Sequence, residues 1–188
     1  MANKIKYGIK NCFYAVATIA ANGSATYGTP VALPGAVSLS LDAQGDTSPF
    51  YADNIVYYTS VANNGYEGDL ELALIPEAFY KDCLGYAVDT NSVLYEDANA
   101  APVHFALMFQ FEGDESARRH VMYNCVATRP TITGSTKEES IEPQTETISI
   151  TATTIYNTTL DKDIVKASCT TTQSTQYNAW NSAVYQVT

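Results

Sequence analysis

The chain has 188 residues, of which 46% are hydrophobic and only 16% are charged, and its formal net charge at pH 7 is −10. Its length suffices for one domain over residues 1–188 with a full hydrophobic core, and its apolar content excludes a disordered acidic tail. The excess of acids argues against a nucleic-acid-binding protein, which needs a basic surface to neutralise phosphates.

The charges are unevenly distributed along the chain. No Lys or Arg occurs between Asn11 and Tyr80, whereas seven acids do. This asymmetry is typical of surfaces that meet in a self-assembly, and equally of a plain acidic surface. The start, MANKIKYGIKNC, lacks the apolar run of a signal peptide, and no segment is apolar enough to span a bilayer. We therefore expect a protein made in a cytoplasm, without a membrane partner.

Apolar and polar residues alternate along much of the chain, which predicts a mainly β protein. Residues 7–19 predict the first strand, and residues 36–43 predict a second with Val37, Leu39 and Leu41 on one face. Residues 54–61 predict a third strand. The segment 42–61 as a whole is longer than an ordinary connection, and we interpret it as a long loop.

The stretch YEGDLELALIPEAFYKDCLGY, residues 66–86, begins as a strand and ends as a helix. The turn signal Asn63-Asn64-Gly65 predicts that residues 66–74 pair with residues 54–61 in a hairpin. Alternation in the returning strand places one set of side chains on the core face, namely Leu70, Leu72 and Leu74. It places the acids on the opposite, wet face, namely Glu67, Asp69 and Glu71.

A change of period after residue 75 predicts one short helix over residues 76–84, flanking the sheets. Pro76 suits a first helical turn, and Phe79 and Cys83 lie on one apolar stripe. Gly85 can adopt the left-handed conformation that ends a helix. We expect this helix to cover the apolar face of a sheet.

The second half of the chain continues the strand pattern. Residues 103–128 predict a hairpin, with Phe105, Leu107, Phe109 and Phe111 on one face. Residues 130–144 are polar and predict a loop, whereas residues 145–156 alternate strongly. The tail from residue 157 predicts an extended arm or late strands, because its polar sequence contains a few large apolar residues.

No arrangement of residues indicates catalysis, a metal or a cofactor. Cys125 and His120 are a conceivable nucleophilic pair, but a buried thiol and an ordinary strand histidine explain them better. The acids around Glu112 and Asp114, and those at Asp161 and Asp163, lack the spacing of a calcium loop. The four cysteines show no metal spacing and predict reduced, buried thiols.

The order of these segments resembles that of phage major tail proteins of the long-tailed, non-contractile type, the phi13-like tail tube family. The similarity lies in YGIKNCFYAVAT, YGTPVALPGAVSLSL and YADNIVYYTS, followed by GYEGDLELALIPEAFYKDCLGY and HFALMFQFEG. TKEESIEPQTETISITAT and WNSAVYQV complete it. The similarity spans nearly the whole chain, although each single motif is only a strand pattern.

This resemblance implies two packed antiparallel sheets, sandwich- or barrel-like, with one short outer helix. It also implies homohexameric rings, in which one sheet of each subunit joins an inner barrel, and a stack of rings through which double-stranded DNA passes without specific binding. The implied partners are other copies of the chain and the tape-measure, tail-terminator and distal tail proteins. The implied location is the virion tail, assembled in the host cytoplasm. A non-enzymatic β-sandwich binding or adhesion module remains the alternative.

Three sets of residues are candidates for this role. The aromatic residues of segment 42–61 are candidates for ring stacking, namely Phe50, Tyr51, Tyr57 and Tyr58. The acids Glu67, Asp69 and Glu71 would line the channel if their strand faces the lumen. Apolar residues of the tail would anchor a C-terminal arm, residues 157–188, on a neighbour or close the subunit's own sandwich, namely Trp180, Val184 and Tyr185.

Overall fold

The computed structural model describes residues 4–136 and 143–188. Two helices and fifteen strands are found in these ranges. In chain order they are β1 Lys4–Ile19, β2 Ala25–Tyr27, β3 Val31–Ala32, β4 Ala36–Gln44, β5 Thr47–Ala52, β6 Ile55–Val61, β7 Gly65–Leu72, α1 Glu77–Cys83, β8 Ala87–Val88, β9 Leu94–Tyr95, β10 Phe105–Asp114, β11 Arg119–Ala127, β12 Glu146–Thr153, β13 Ile155–Asn157, β14 Lys162–Ile164, β15 Lys166–Cys169 and α2 Ser174–Ala179.

One antiparallel sheet of nine strands forms the body of the molecule. Its order is β2-β1-β10-β11-β12-β7-β4, with β3 also paired to β1 and β15 also paired to β11. The strand β4 lies against β1, but no hydrogen-bonded ladder joins them among the described residues, so the curved sheet is not a closed barrel. Three two-stranded sheets complete the β structure: β5–β6, β8–β9 and β13–β14. The prediction of a mainly β, antiparallel fold is confirmed.

The concave side of the sheet encloses the larger hydrophobic core, and α1 fills it. Phe79 of α1 is fully buried, with edge-to-face ring contacts to Tyr14 at 5.1 Å and to Phe105 at 5.4 Å. The predicted helix is therefore present, with its apolar stripe inward. Gly85 follows the helix at φ +75°, the left-handed conformation that only glycine adopts readily. Pro76 is the N-cap residue of α1, so the helix begins at Glu77, one residue later than predicted.

The other face of β1, β10 and β11 is also buried, under the C-terminal segment. Ala106, Met108 and Val121 pack there against Trp180 and Val184. A strand buried on both faces is apolar at successive positions, which explains the unbroken burial from residue 105 to 110. The short helix α2 in this segment was not predicted, because its sequence, STQYNA, has no apolar stripe.

The predicted strands at 7–19 and 145–156 and the predicted hairpin at 103–128 are confirmed. β1 begins earlier, at Lys4. β10 pairs with β11 from Gln110↔Arg119 to Phe105↔Cys125. The tail contains late strands, β13 to β15, as one of its two alternatives expected. In the predicted loop 130–144, residues 130–136 and 143–144 have no regular structure, and residues 137–142 lie outside the described part of the chain.

Two details of the predicted β structure are wrong: one strand pairing and the direction of one side chain. β6 pairs with β5, not with β7, because the chain turns at Asp53-Asn54; both residues have positive φ, as a two-residue hairpin turn requires. β7 pairs instead with β4 and β12. Leu74 does not face the core, because β7 ends at Leu72 and the chain bends, and Ile75 takes the buried position.

Candidate functional site

Three neighbouring strands, β4, β7 and β12, expose a polar face on the convex side of the sheet. The three predicted acids of β7 all lie on it, while Leu70 and Leu72 point into the core. The ladder register flanks these acids with short polar side chains of the adjacent strands, namely Ser38, Ser40 and Asp42 on β4 and Thr147, Ser149 and Thr151 on β12. We call this surface the acidic face.

Hydroxyl groups hold two of the carboxylates in the acidic face. Ser149 donates to Asp69 at 2.7 Å, while Ser38 and Thr145 donate to the two oxygens of Glu71 at 2.7 and 2.6 Å. The Thr145 and Ser38 hydrogen bonds hold the pKa of Glu71 below its ordinary value. Since the sequences of β4, β7 and β12 contain no Lys or Arg, the face stays negative at neutral pH.

Residues 47–61, predicted within a long loop, form an exposed β-hairpin that extends the β4–β7 pair. We call it the hairpin arm. Its strands pair from Thr47↔Val61 to Ala52↔Ile55, and Ala62 N–H donates to Asp46 C=O at its base, 3.0 Å away. With six paired positions along the hairpin at about 3.3 Å each, the arm is about 20 Å long. It therefore reaches well beyond the body of the subunit.

The hairpin arm is apolar, yet it contributes no residue to either core. Phe50 is 61% exposed and Tyr57 is 72% exposed, and the other predicted aromatic residues, Tyr51 and Tyr58, are similar. The structure also exposes aliphatic residues that the sequence interpretation missed: Ile55, Val56 and Val61. The β alternation could have indicated them, because in a two-stranded arm neither face is covered.

The predicted C-terminal anchors lie on the subunit itself. Trp180 is only 2% exposed, Val184 is buried, and Tyr185 stacks on Trp180 with ring centroids 5.6 Å apart. Tyr123 of β11 donates to the Tyr185 carbonyl at 2.7 Å, and Asn157 donates to the Val187 carbonyl at 2.8 Å. Of the two predicted alternatives, the structure therefore shows these residues closing their own chain.

The reactive side chains considered from sequence have ordinary structural roles. All four cysteines, each in the described part, are buried without a disulfide, and burial raises the pKa of the Cys125 thiol to about 12. His120 stacks on Phe109 at 5.1 Å. Asp114 closes the β10–β11 turn by accepting from the backbone N–H groups of Ser116 and Arg118. Within residues 4–136 and 143–188, no group of three or more His, Cys, Asp or Glu could hold a metal ion.

Comparison with protein families identifies the family of this chain. A family model described as "Phage tail tube protein" matches residues 2–186, nearly the entire chain. No curated protein matches the chain. Where the structure is described, it contains no helix of the length and apolar character needed to cross a membrane.

Proposed function

Because this chain belongs to the phage tail tube protein family, we propose that it builds a tail tube from homohexameric rings stacked end to end. Family membership makes it a structural component of a virion tail. In the proposed assembly the stacked rings form the conduit through which double-stranded DNA leaves the capsid. We infer that the rings form in the host cytoplasm and that the tube ends meet tape-measure, tail-terminator and distal tail proteins.

The hairpin arm is the observation that carries this proposal. A monomeric soluble protein rarely exposes a contiguous apolar surface of this kind, and such a surface indicates a protein contact. The arm also projects about 20 Å from the body, so it can reach a copy in the next ring. Ring closure is favoured separately by the outer edge of β4, which pairs with no other strand among the described residues and so offers N–H and C=O groups to a neighbouring subunit.

The acidic face is the proposed lining of the channel. Six copies of Glu67, Asp69 and Glu71 in each ring would surround the DNA with negative charge and no cation. Like charges repel over roughly 8 Å at physiological salt, a range that matters in a narrow channel. The hydroxyl groups between the carboxylates keep the surface hydrated. DNA would therefore slide along this wall without binding to it.

Charge reversal on the acidic face is expected to slow genome ejection. Phage carrying Glu67→Lys with Asp69→Lys should assemble tails of normal length, because neither side chain enters a core. Ejection should slow most at low salt, where lysines attract phosphates most strongly. Glu71 stays unchanged because two hydroxyl groups donate to it. The measurement is the rate of DNA release triggered from purified virions.

The matched control for charge reversal is Glu77→Lys with Asp163→Lys, which changes the net charge equally at exposed positions outside the acidic face. This control should eject its DNA at the normal rate. Normal ejection by the acidic-face variant at all salt concentrations would contradict the lining role. So would an assembled tube whose outer wall carries these side chains.

Direct observation of the assembly tests the proposed function itself. The purified chain, concentrated alone or with its distal tail proteins, should form rings and then tubes visible by negative-stain electron microscopy. Native mass spectrometry should give a ring mass of six subunits. A chain that stays monomeric at every concentration, with and without the other tail proteins, would refute the proposal.

A further inference from the structure

An open groove of about 210 Å³ lies at the end of the sheet from which the hairpin arm leaves. We call it the basic mouth. Its lining comes from residues near one end of six different strands, namely Lys6, Leu41, Tyr66, Phe111, His120 and Lys166. The floor combines aromatic and aliphatic side chains, and the only charged side chains among the described residues that line it are the two lysines.

The two lysines of the basic mouth are held over aromatic rings. Lys166 Nζ lies 4.5 Å from the centroid of the Tyr66 ring and donates to the Tyr66 hydroxyl at 2.6 Å. Lys6 Nζ lies 4.9 Å from the centroid of the Phe111 ring. Both amines therefore stand at fixed places above an apolar floor. This combination suits an incoming segment that carries carboxylates beside apolar side chains.

His120 reports the same positive potential inside the basic mouth. Burial first, and then the nearby positive charges of Arg118, Lys166 and Lys6, together lower its pKa to about 4. Asp114 is the opposing charge and has the smallest effect. The imidazole is therefore neutral at pH 7, and the lysines are the cations that an occupant would meet.

The opposite end of the sheet carries a segment of complementary chemistry, the β8–β9 segment, residues 87–97. Its sequence, AVDTNSVLYED, holds three acids and no Lys or Arg. Its exposed apolar side chains are Val88, Val93 and Tyr95. Asp89 closes the turn by accepting from the Asn91 and Val93 N–H groups, both at 2.8 Å, so the segment has a defined shape.

The strand β11 shows that the basic mouth and the β8–β9 segment lie at opposite ends of the subunit. β11 begins at Arg119, contributes its second residue, His120, to the mouth, and ends at Ala127. Two residues later, Arg129 forms an ion pair with Glu96 of the β8–β9 segment, 2.8 Å apart. That pair leaves two acids of the segment without a cationic partner at their own end of the sheet, Asp89 and Asp97, among the described ion pairs.

We propose that the β8–β9 segment of one copy docks in the basic mouth of the copy below it in a head-to-tail stack. The inference rests on the proposed tube, and it names the surfaces that set the vertical contact beside the hairpin arm. A contact between two different surfaces at opposite ends of a subunit repeats without closing, which is the geometry of a filament. The lysines and carboxylates fix its register and suppress wrong pairings.

A charge exchange across this contact provides the test. Lys166→Glu and Thr90→Lys, at the exposed tip of the β8–β9 segment, each place like charges at the contact. Each should raise the critical concentration for tube growth at least about tenfold, which corresponds to ~1.4 kcal/mol per contact. The double variant should return it to within about threefold of the native value, because the exchanged charges attract again.

Lys162→Glu is the matched control, since it makes the same charge change on the exposed strand β14, outside the basic mouth. Thermal melts should show all variants folded, and their rings should still close. Tube growth of Lys166→Glu equal to that of the control would overturn the inference while leaving the proposed tube intact. A double variant no better than the single ones, or a loss of ring closure instead of stacking, would overturn it too. Failure of the native chain to form any tube would refute the proposed function itself.

Discussion

Replacing residues 47–61 by the dipeptide Asn-Gly is expected to abolish tube growth while leaving a folded subunit. The Asp46 carbonyl and the Ala62 N–H are already hydrogen-bonded at 3.0 Å, the arrangement that closes a two-residue hairpin turn. No side chain of the hairpin arm enters either core, so the body should keep its stability. Thermal melting and electron microscopy of the same preparation measure the two effects.

The expected loss of assembly is large because the arm concentrates seven of the seventeen large apolar side chains that are exposed in the described part of the chain. Burying one large apolar side chain contributes about 1.5–3 kcal/mol, and the arm offers seven of them in each copy. A milder variant, Tyr57→Ser with Tyr58→Ser, should shorten tubes. Its control, Ile132→Ser, removes an almost fully exposed apolar side chain outside the arm and should not. Tubes of native length from the arm-less variant would contradict the stacking role.

Truncation after Tyr177 is expected to unfold the subunit. It removes Trp180 and Val184 from the second core and uncovers the outer faces of β10 and β11. Loss of a buried Trp side chain alone costs about 3–5 kcal/mol. The whole free energy of unfolding of a domain is about 5–15 kcal/mol, so the truncated chain should be largely unfolded at 37 °C. Circular dichroism and thermal melting provide the measurement.

A pair of point variants separates packing from the loss of chain length. Trp180→Ala should lower the free energy of unfolding by about 3–5 kcal/mol. Asn178→Ala changes an exposed residue two positions earlier and should stay within about 0.5 kcal/mol of the native value. A truncated chain that melts like the full one but no longer assembles would instead support an arm docked on a neighbouring subunit.

Alternation in the sequence predicted where strands form, but it did not settle which strands pair. Two turn signals lie on either side of residues 55–61. Asp53-Asn54 forms the tip of the hairpin arm. Asn63-Asn64-Gly65 forms the irregular connection between the arm and β7. Asn63 accepts from the Gly65 N–H at 3.1 Å, so the second signal reflects a real turn of the backbone. This turn does not pair β6 with β7, because β7 pairs with β4, a strand distant in sequence.

The proposed functional surfaces differ in how far the sequence could predict them. The acidic face follows from strand register, because a one-residue slip would bury three carboxylates. The structure shows that the aromatic residues of the arm are exposed, and their role in ring stacking stays a prediction. The position of Trp180 could not be predicted, since a large apolar residue in polar sequence fits its own core as well as a partner. The basic mouth combines six distant strands, and no local pattern indicates it.

The burial of β10 and β11 on both faces has a consequence for synthesis of the protein. The outer cover of these strands, residues 180–187, emerges from the ribosome only after both strands have emerged. A nascent chain therefore exposes an apolar strand pair until residues 180–187 follow, even if its concave core has already formed. We expect nascent chains with residues 1–177 outside the exit tunnel to remain sensitive to protease, and chains with residues 1–188 outside it to become resistant. A newly made subunit would then become competent for assembly only after residues 180–187 have packed on the strand pair, which limits premature joining of unfinished chains to a growing tube.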